Sequence, residues 1–265
     1  MAARRPHSKS HSTDPDDYQH LSQSIGAMSK HFTDGFETPL HHHARDQLLH
    51  AVSGIMRLHT ELQAWIVPRD SAVYIPAGTP HAVSMHGAVE MRTLYIDTSV
   101  GEGPPRDFRV VAVSKLLREL ILALGEEPMD YDPMGRDGLI AQMIALEIGR
   151  ARELTLNVPL PKDPRLQWLC AELLADLSDR RTLEAWAEVA GASARTLARL
   201  FKHDLGMSFN QWRRRIRFHG ALEALSRGET IATVAHSHGY RSASAFSAAY
   251  RKEMGIAPSK AADLR

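Results

Sequence analysis

The 265-residue sequence predicts a multidomain chain of α and β structure: an N-terminal β-barrel with following helices, then an all-α domain carrying two helix-turn-helix units. Three observations point there. Residues 32–98 fall into short apolar runs broken by Gly and Pro; from Arg109 the apolar spacing changes to three and four residues; and charge is divided between the halves. Residues 161–265 hold 17 Lys and Arg against 11 Asp and Glu, whereas residues 1–160 hold 15 against 20, so only the C-terminal part suits an anionic partner.

The β region is read from Gln47–Val52, Leu62–Val67, Ala72–Ile75, His81–Met85 and Val89–Ile96, runs rich in β-branched or aromatic residues. Gly54, Pro68-Arg69-Asp70, Pro76-Ala77-Gly78-Thr79-Pro80 and Gly87 punctuate them, as in a β-sandwich or barrel. Val110, Val113, Leu116, Leu117, Leu120, Ile121 and Leu124 then mark a helix that ends at Gly125. A second helix, about Arg136 to Glu153, is apolar too broadly for a one-sided surface helix, so it is buried in its own domain or against a second subunit. The Pro-containing segment 154–162 reads as a linker, and Asp163-Pro164 as the start of a helix running to about Leu177.

Several classes are set aside. A single cysteine, Cys170, cannot build a disulfide framework and fits a reducing compartment. No apolar run approaches the roughly 18 residues of a spanning helix, so no membrane segment is expected. The first 20 residues are polar and lack the apolar core of a signal peptide. Residues 1–25 are expected to form a disordered tail, and the protein to be cytoplasmic.

The C-terminal part carries the clearest chemistry. Thr182–Ala190 is a short helix, Gly191-Ala192-Ser193 a turn whose serine can cap the next helix, and Ala194–Asp204 a helix with Leu197, Leu200 and Phe201 on its buried face. Arg195, Thr196, Arg199 and Lys202 stay on the other face, where a helix in the major groove presents donors to bases and phosphates. The pattern recurs: Thr230–Ser237, the turn His238-Gly239-Tyr240, Ser242 as cap, and the helix Ala243–Met254 with Phe246, Ala249 and Tyr250 inward. Between them a helix from about Ser208 to Ser226 carries Arg213, Arg214, Arg215 and Arg217. It would hold the reading helices about one DNA turn, roughly 34 Å, apart.

The motifs Ala-Ser-Ala-Arg-Thr-Leu-Ala-Arg-Leu-Phe-Lys (192–202), Leu-Gly-Met-Ser-Phe (205–209), Gly-Tyr-Arg-Ser-Ala-Ser-Ala-Phe (239–246) and Met-Gly-Ile-Ala-Pro-Ser (254–259) resemble the AraC/XylS family of bacterial regulators. The resemblance covers about residues 163–261 and implies that both reading helices enter successive major-groove segments. Carried over by position, it places Arg195, Ala198 and Arg199 of the first unit against bases, and Ala243, Ser244, Ser247 and Ala248 of the second. Ser193, Thr196, Lys202 and Ser242 complete that set. Many members have a long polar residue where this chain has Ala248. A short side chain cannot make a bidentate guanine contact. The first unit is therefore expected to dominate base reading, and the second to position the protein on phosphates through Arg241, Arg251 and Lys252.

The N-terminal part holds a histidine cluster. Alternate residues of a strand share a face, so His41 and His43 can point together, and a barrel could bring His81 beside them. Three neutral imidazoles suit a divalent metal. Gly35-x5-His41-x-His43-x3-Gln47-x6-Gly54 resembles the first cupin motif, with Gln47 where many members have Glu, and Pro76-x-Gly78-x-x-His81 the core of the second. That second motif would begin with Gly where this chain has Asp70 and end with Asn where it has Met85. The resemblance implies a cupin-like barrel, with His41, His43 and His81 as candidate metal ligands and Gln47 fourth or nearby. The alternative is a barrel that is empty or takes a sugar.

The resulting organisation is a tail (1–25), a cupin-like sensor (26–105), a helical dimerisation segment (106–153), a linker (154–162) and an AraC-type DNA-binding domain (163–265). A metal-dependent cupin enzyme, such as a dioxygenase or isomerase, would leave the paired helix-turn-helix units unexplained, and Gln47 cannot serve as a base. An architectural nucleic-acid binder would carry a larger basic excess. A non-enzymatic, sequence-specific transcription regulator remains. Its expected partners are promoter or operator DNA, a small-molecule or metal effector and a second copy of itself, with RNA polymerase as a further candidate.

Overall fold

The computed structural model describes residues 11–61, 63–67, 71–99, 108–154, 156–226, 228–255 and 257–259. Leu62, the turn 68–70 with Asp70, the first ten residues of the expected tail and the last residues of the DNA-binding domain lie outside these. The chain divides into two units: one made of the chain up to Met56 with Val67–Leu154, the other of Arg57–Ile66 with the chain beyond Leu154.

In the first unit six strands form an antiparallel sheet ordered β1 (Ile25–Phe32), β5 (Ala82–Ile96), β2 (Asp46–His59), β4 (Ser71–Ile75), β6 (Arg109–Ala112) and β7 (Glu153–Leu154). All five residues of β4 are buried, which explains its unbroken Ser-Ala-Val-Tyr-Ile run. The segments expected as separate strands at 81–85 and 89–96 are one long strand, β5, carried through Gly87 at φ 76°. A further pairing of chain 35–43 with 78–85 runs through Glu37 with Ser84 and His41 with His81. The motif glycine Gly54 has φ 75°, and a Cβ there would stand 2.7 Å from the Ala88 carbonyl, so only glycine fits.

Helices α1 (Lys115–Gly125) and α2 (Arg136–Arg150) cover the sheet. Leu117, Ile121 and Leu124 of α1, with Ile140, Ile144 and Ile148 of α2, share a core with Leu48, Tyr74 and Ile96. The first helix starts later than its apolar spacing suggested. Residues 109–112 form strand β6, paired with β4 from Ser71–Ala112 to Tyr74–Arg109, and the Ser114 hydroxyl then caps α1 by accepting from Leu117 N–H. The β-branched pair Val110-Val111 satisfies a sheet edge better than a helix start.

The expectation of a disordered tail up to residue 25 is corrected for residues 11–25. Pro15–Tyr18 form a 3-10 turn capped by Asp14, and Tyr18 is fully buried, its ring 5.4 Å from that of Tyr95. The buried Arg45 guanidinium donates to the Gln23 carbonyl at 2.8 Å, and the Tyr131 hydroxyl donates to the Ile25 carbonyl at 2.8 Å. The lone aromatic in a polar stretch offered no periodicity, so its burial was not legible.

In the second unit β3 (Gln63–Val67) pairs with β8 (Asn157–Pro159) inside the segment read as a linker, from Gln63–Pro159 to Trp65–Asn157. Helices α3 (Pro164–Ala175), α4 (Leu183–Val189), α5 (Ala194–Leu205), α6 (Phe209–Ser226), α7 (Ile231–Ser237) and α8 (Ala243–Met254) follow the expected order. Trp186, Leu197, Phe201, Trp212 and Ile216 form one core. Farther along α6, Phe218 lies 5.9 Å from Phe246 and 5.5 Å from Tyr250, so one helix supplies both halves of the domain with core. Among the described residues no helix is long and apolar enough to cross a membrane.

Candidate DNA interface and histidine pocket

The two helix-turn-helix units repeat the same local devices. Thr182 caps α4 and Thr230 caps α7, each hydroxyl accepting from the N–H three residues on. Gly191 and Gly239 turn the chain at φ 61° and 79°, a left-handed conformation that other residues rarely adopt. Ser193 caps α5 through Thr196 N–H at 3.1 Å, and Ser242 caps α8 through Ala245 N–H at 3.2 Å. Gly206 and Gly255 end the reading helices in the left-handed region.

What the reading helices offer differs. On α5, Arg195, Ala198, Arg199 and Lys202 are all exposed. Arg195 and Arg199 have no ion pair or hydrogen bond among the described residues, so both guanidiniums are available, whereas the Lys202 ammonium donates to the Gly206 carbonyl at 3.2 Å. The Ser193 and Thr196 hydroxyls share a hydrogen bond of 2.8 Å as part of the cap. On α8, Ser244 and Ala248 are exposed and Ala243 is half-buried, but Ser247 spends its hydroxyl on the Ala243 carbonyl at 2.7 Å. Ser244 shares a hydrogen bond with the capping Ser242 at 3.0 Å. The exposed cations of this unit, Arg241, Arg251 and Lys252, lie just before the helix and in its last turn.

The arginines of α6 are committed to the domain itself. Arg213 donates to the Arg181 carbonyl at 2.6 Å, Arg217 to the Leu177 carbonyl at 3.0 Å, and Arg214 pairs with Glu253 of α8 at 3.1 Å. Burial, then the neighbouring Arg213 and Arg180 charges, lower the Arg217 pKa. The basic helix is therefore a brace between the reading units, and the charge offered outward rests mainly on α5 and the ends of α8.

In the first unit the antiparallel bridge between His41 and His81 sets their rings 4.5 Å apart, with His43 at 4.9 Å from His41 and 5.5 Å from His81. One ring nitrogen from each lies within 4.8 Å of the others. Backbone carbonyls fix two of the rings: His41 Nδ1 lies 2.8 Å from the Pro39 oxygen and His81 Nδ1 2.9 Å from the Thr79 oxygen. A carbonyl only accepts, so each of these Nδ1 atoms carries a proton, and Nε2 is the nitrogen that bears the lone pair in the neutral ring. The Nε2 atoms of His43 and His81 are buried without a hydrogen-bond partner. Burial first, then the neighbouring imidazoles, push the His43 pKa down to about 3; burial, with smaller contributions from His41 and His42, takes His81 to about 4 against the opposing Thr79 carbonyl. Both rings are neutral at pH 7, the form that binds metal.

Gln47 lines the same pocket, as expected of a fourth group, but it is hydrogen-bonded to Tyr95 and its Oε1 is buried without a partner. Sequence reading missed the rest of the lining. Met28, Lys30 and Phe32 of β1 and Val83, Met85, Met91 and Tyr95 of β5 all face the pocket. Their period of two was the available signal, obscured because β1 was not recognised and Gly87 hid the continuity of β5.

Comparison with known proteins agrees with this division. A helix-turn-helix domain family matches residues 186–263, and a cupin domain family matches residues 31–97. The transcriptional regulator NimR of Escherichia coli (strain K12) is 31% identical over 230 residues, 86% of this chain and 83% of its own length. The transcriptional activator RhaR of Pectobacterium carotovorum subsp. carotovorum is 29% identical over 242 residues, 83% of this chain and 84% of its own length. The transcriptional regulator RipA of Corynebacterium glutamicum is 35% identical over a shorter stretch of 101 residues, 38% of this chain and 30% of its own length.

Proposed function

The chain belongs to the AraC/XylS family of helix-turn-helix transcription regulators, with a cupin domain ahead of the DNA-binding domain, and we propose how its residues divide that work. Arg195 and Arg199 of α5 read bases in one major-groove segment. The second unit docks in the next and contributes chiefly phosphate contacts from Arg241, Arg251 and Lys252. The carrying observation is the contrast between two free guanidiniums on α5 and a second reading helix whose hydroxyls are largely spent on its own cap and backbone. A guanidinium can reach guanine O6 and N7 together; alanine and a committed serine cannot. Such a regulator works in the cytoplasm, where RNA polymerase is a further partner.

The histidine pocket is the effector end. Two buried, unpartnered imidazole nitrogens and two carbonyl-fixed tautomers are the arrangement a metal ligand needs, since the carbonyl behind each ring sets which nitrogen faces inward. His41, His43 and His81 hold a divalent cation, with Gln47 beside them. When bound, the ion would supply a positive centre for a small-molecule donor, and this chain's imidazoles would set its place in the barrel.

The protein acts as a homodimer. The inner faces of α1 and α2 are used in their own domain, yet Leu139, Met143 and Leu146 of α2, spaced as one helical stripe, are 60%, 41% and 60% exposed. A second copy covers that stripe. Fluorescence anisotropy and footprinting of operator DNA with metal-loaded and chelator-treated protein test the reading; identical affinity and footprint in both states would remove the metal from it.

A further inference from the structure

The cavity beside the histidines has a chemistry that restricts what it can take. It measures about 290 Å3, at the small end of ligand pockets. A cavity of that volume suits one small molecule. His41, His43, His81 and Gln47 gather at one place, with the Tyr95 hydroxyl hydrogen-bonded to Gln47, and the Thr38 hydroxyl, also in the lining, accepts from the Val83 N–H at 2.9 Å. Most of the remaining wall is apolar, including Met28, Phe32, Phe36, Leu49, Met85 and Met91. Among the described residues no Asp or Glu lines it, and its one Lys, Lys30, donates to the Thr13 carbonyl at 3.2 Å and sits 5.3 Å above the Phe32 ring.

A sugar of this size carries a hydroxyl on nearly every carbon. Those facing Met and Phe would lose water without gaining a partner. Thioethers and aromatic rings instead favour a flat apolar body, because methionine adapts its shape and its sulfur packs well against ring edges. The buried lone pairs on His43, His81 and Gln47 call for a cation or a donor at one end only.

We propose that the cavity binds a small aromatic molecule with a single metal-coordinating head, the head on the cation held by His41, His43 and His81 and the ring among Met28, Phe32, Met85 and Met91. This rests on the metal and effector role proposed above for the same pocket. It excludes carbohydrates as effectors of this regulator.

The test uses the full-length protein with Co2+ as a visible reporter, and three probes: benzohydroxamate, acetohydroxamate and D-xylose. Co2+ alone is titrated first, on the native chain and on His81→Ala. Absorption bands of protein-bound Co2+ are expected for the native chain and not for the variant. Benzohydroxamate is then expected to shift those bands at a concentration at least tenfold below acetohydroxamate, which has the head without the ring. D-xylose should cause no shift. Phe36→Gln, at a half-exposed wall position, should weaken benzohydroxamate at least threefold and leave acetohydroxamate unchanged. A chain that takes up no Co2+ overturns the metal reading and this inference with it. One that binds Co2+ but treats the two hydroxamates alike, or responds to D-xylose, overturns this inference and leaves the metal reading standing.

Discussion

Arg199→Ala should abolish one base preference and little else. The side chain is exposed and makes no hydrogen bond or ion pair among the described residues, while its neighbour Leu200 and the Ser193 cap hold α5 in place. Removing it costs the fold nothing beyond the ordinary surface range of about 0.5 kcal/mol. A bidentate arginine–guanine contact contributes about 1–3 kcal/mol of discrimination, so preference at one base pair should fall roughly 5- to 150-fold. Arg251→Ala, in the last turn of α8, should behave differently. It should weaken all sequences about equally and reduce the slope of log affinity against log salt by about 0.9, the value of one phosphate contact. Anisotropy titrations on an operator and its single-base variants, at several salt concentrations, separate the two effects. Equal loss of base preference in both variants would refute the division of labour.

Three other outcomes follow from the same structure. Leu139→Glu combined with Leu146→Glu places charge in the exposed stripe of α2 and should convert a dimer to a monomer by light scattering; an unchanged mass would exclude that face. Phe201→Ala, at a fully buried site in the core of the first reading unit, should cost about 3–5 kcal/mol and lower the melting temperature of the DNA-binding domain by many degrees. His219 is fully buried on α6, and burial, then Arg215 and Arg57, push its pKa from 6.5 down to about 3. The unfolded chain therefore binds a proton that the folded one refuses, and stability falls as pH drops below about 6.5. Between pH 7 and 5 the loss is about 2 kcal/mol from this residue, and denaturation of His219→Leu should show a pH slope smaller by about one proton.

The DNA-binding half was legible because its signals are local. Ser193 and Ser242 cap the helices their positions announced, Thr182 and Thr230 stand as caps at the two positions where the short helices were expected to begin, and Gly191 and Gly239 sit at the turns. The three histidines were also legible, since alternation on a strand places His41 and His43 together and a barrel returns His81 to them. What sequence reading lost depends on partners distant in the chain. Strand β1 is defined by pairing with β5, from Ile25–Ile96 to Phe32–Val89, and its own residues alternate only weakly in hydrophobicity. Residues 109–112 carry a helical spacing by coincidence, and the vacant edge of β4 claims them as a strand. The commitment of the α6 arginines to carbonyls at 177 and 181 could not be read either, because a basic helix looks the same whether its charges face DNA or brace a loop.

The central claim, that this chain reads DNA with two unequal helix-turn-helix units under control of its histidine pocket, meets its most direct test in footprinting on promoter DNA with and without divalent metal. Protection of two adjacent major-groove segments about one helical turn apart is expected, with its strength changing between metal-loaded and metal-free protein and its sequence dependence concentrated in one segment. Absence of any sequence-specific protection in either state would contradict it.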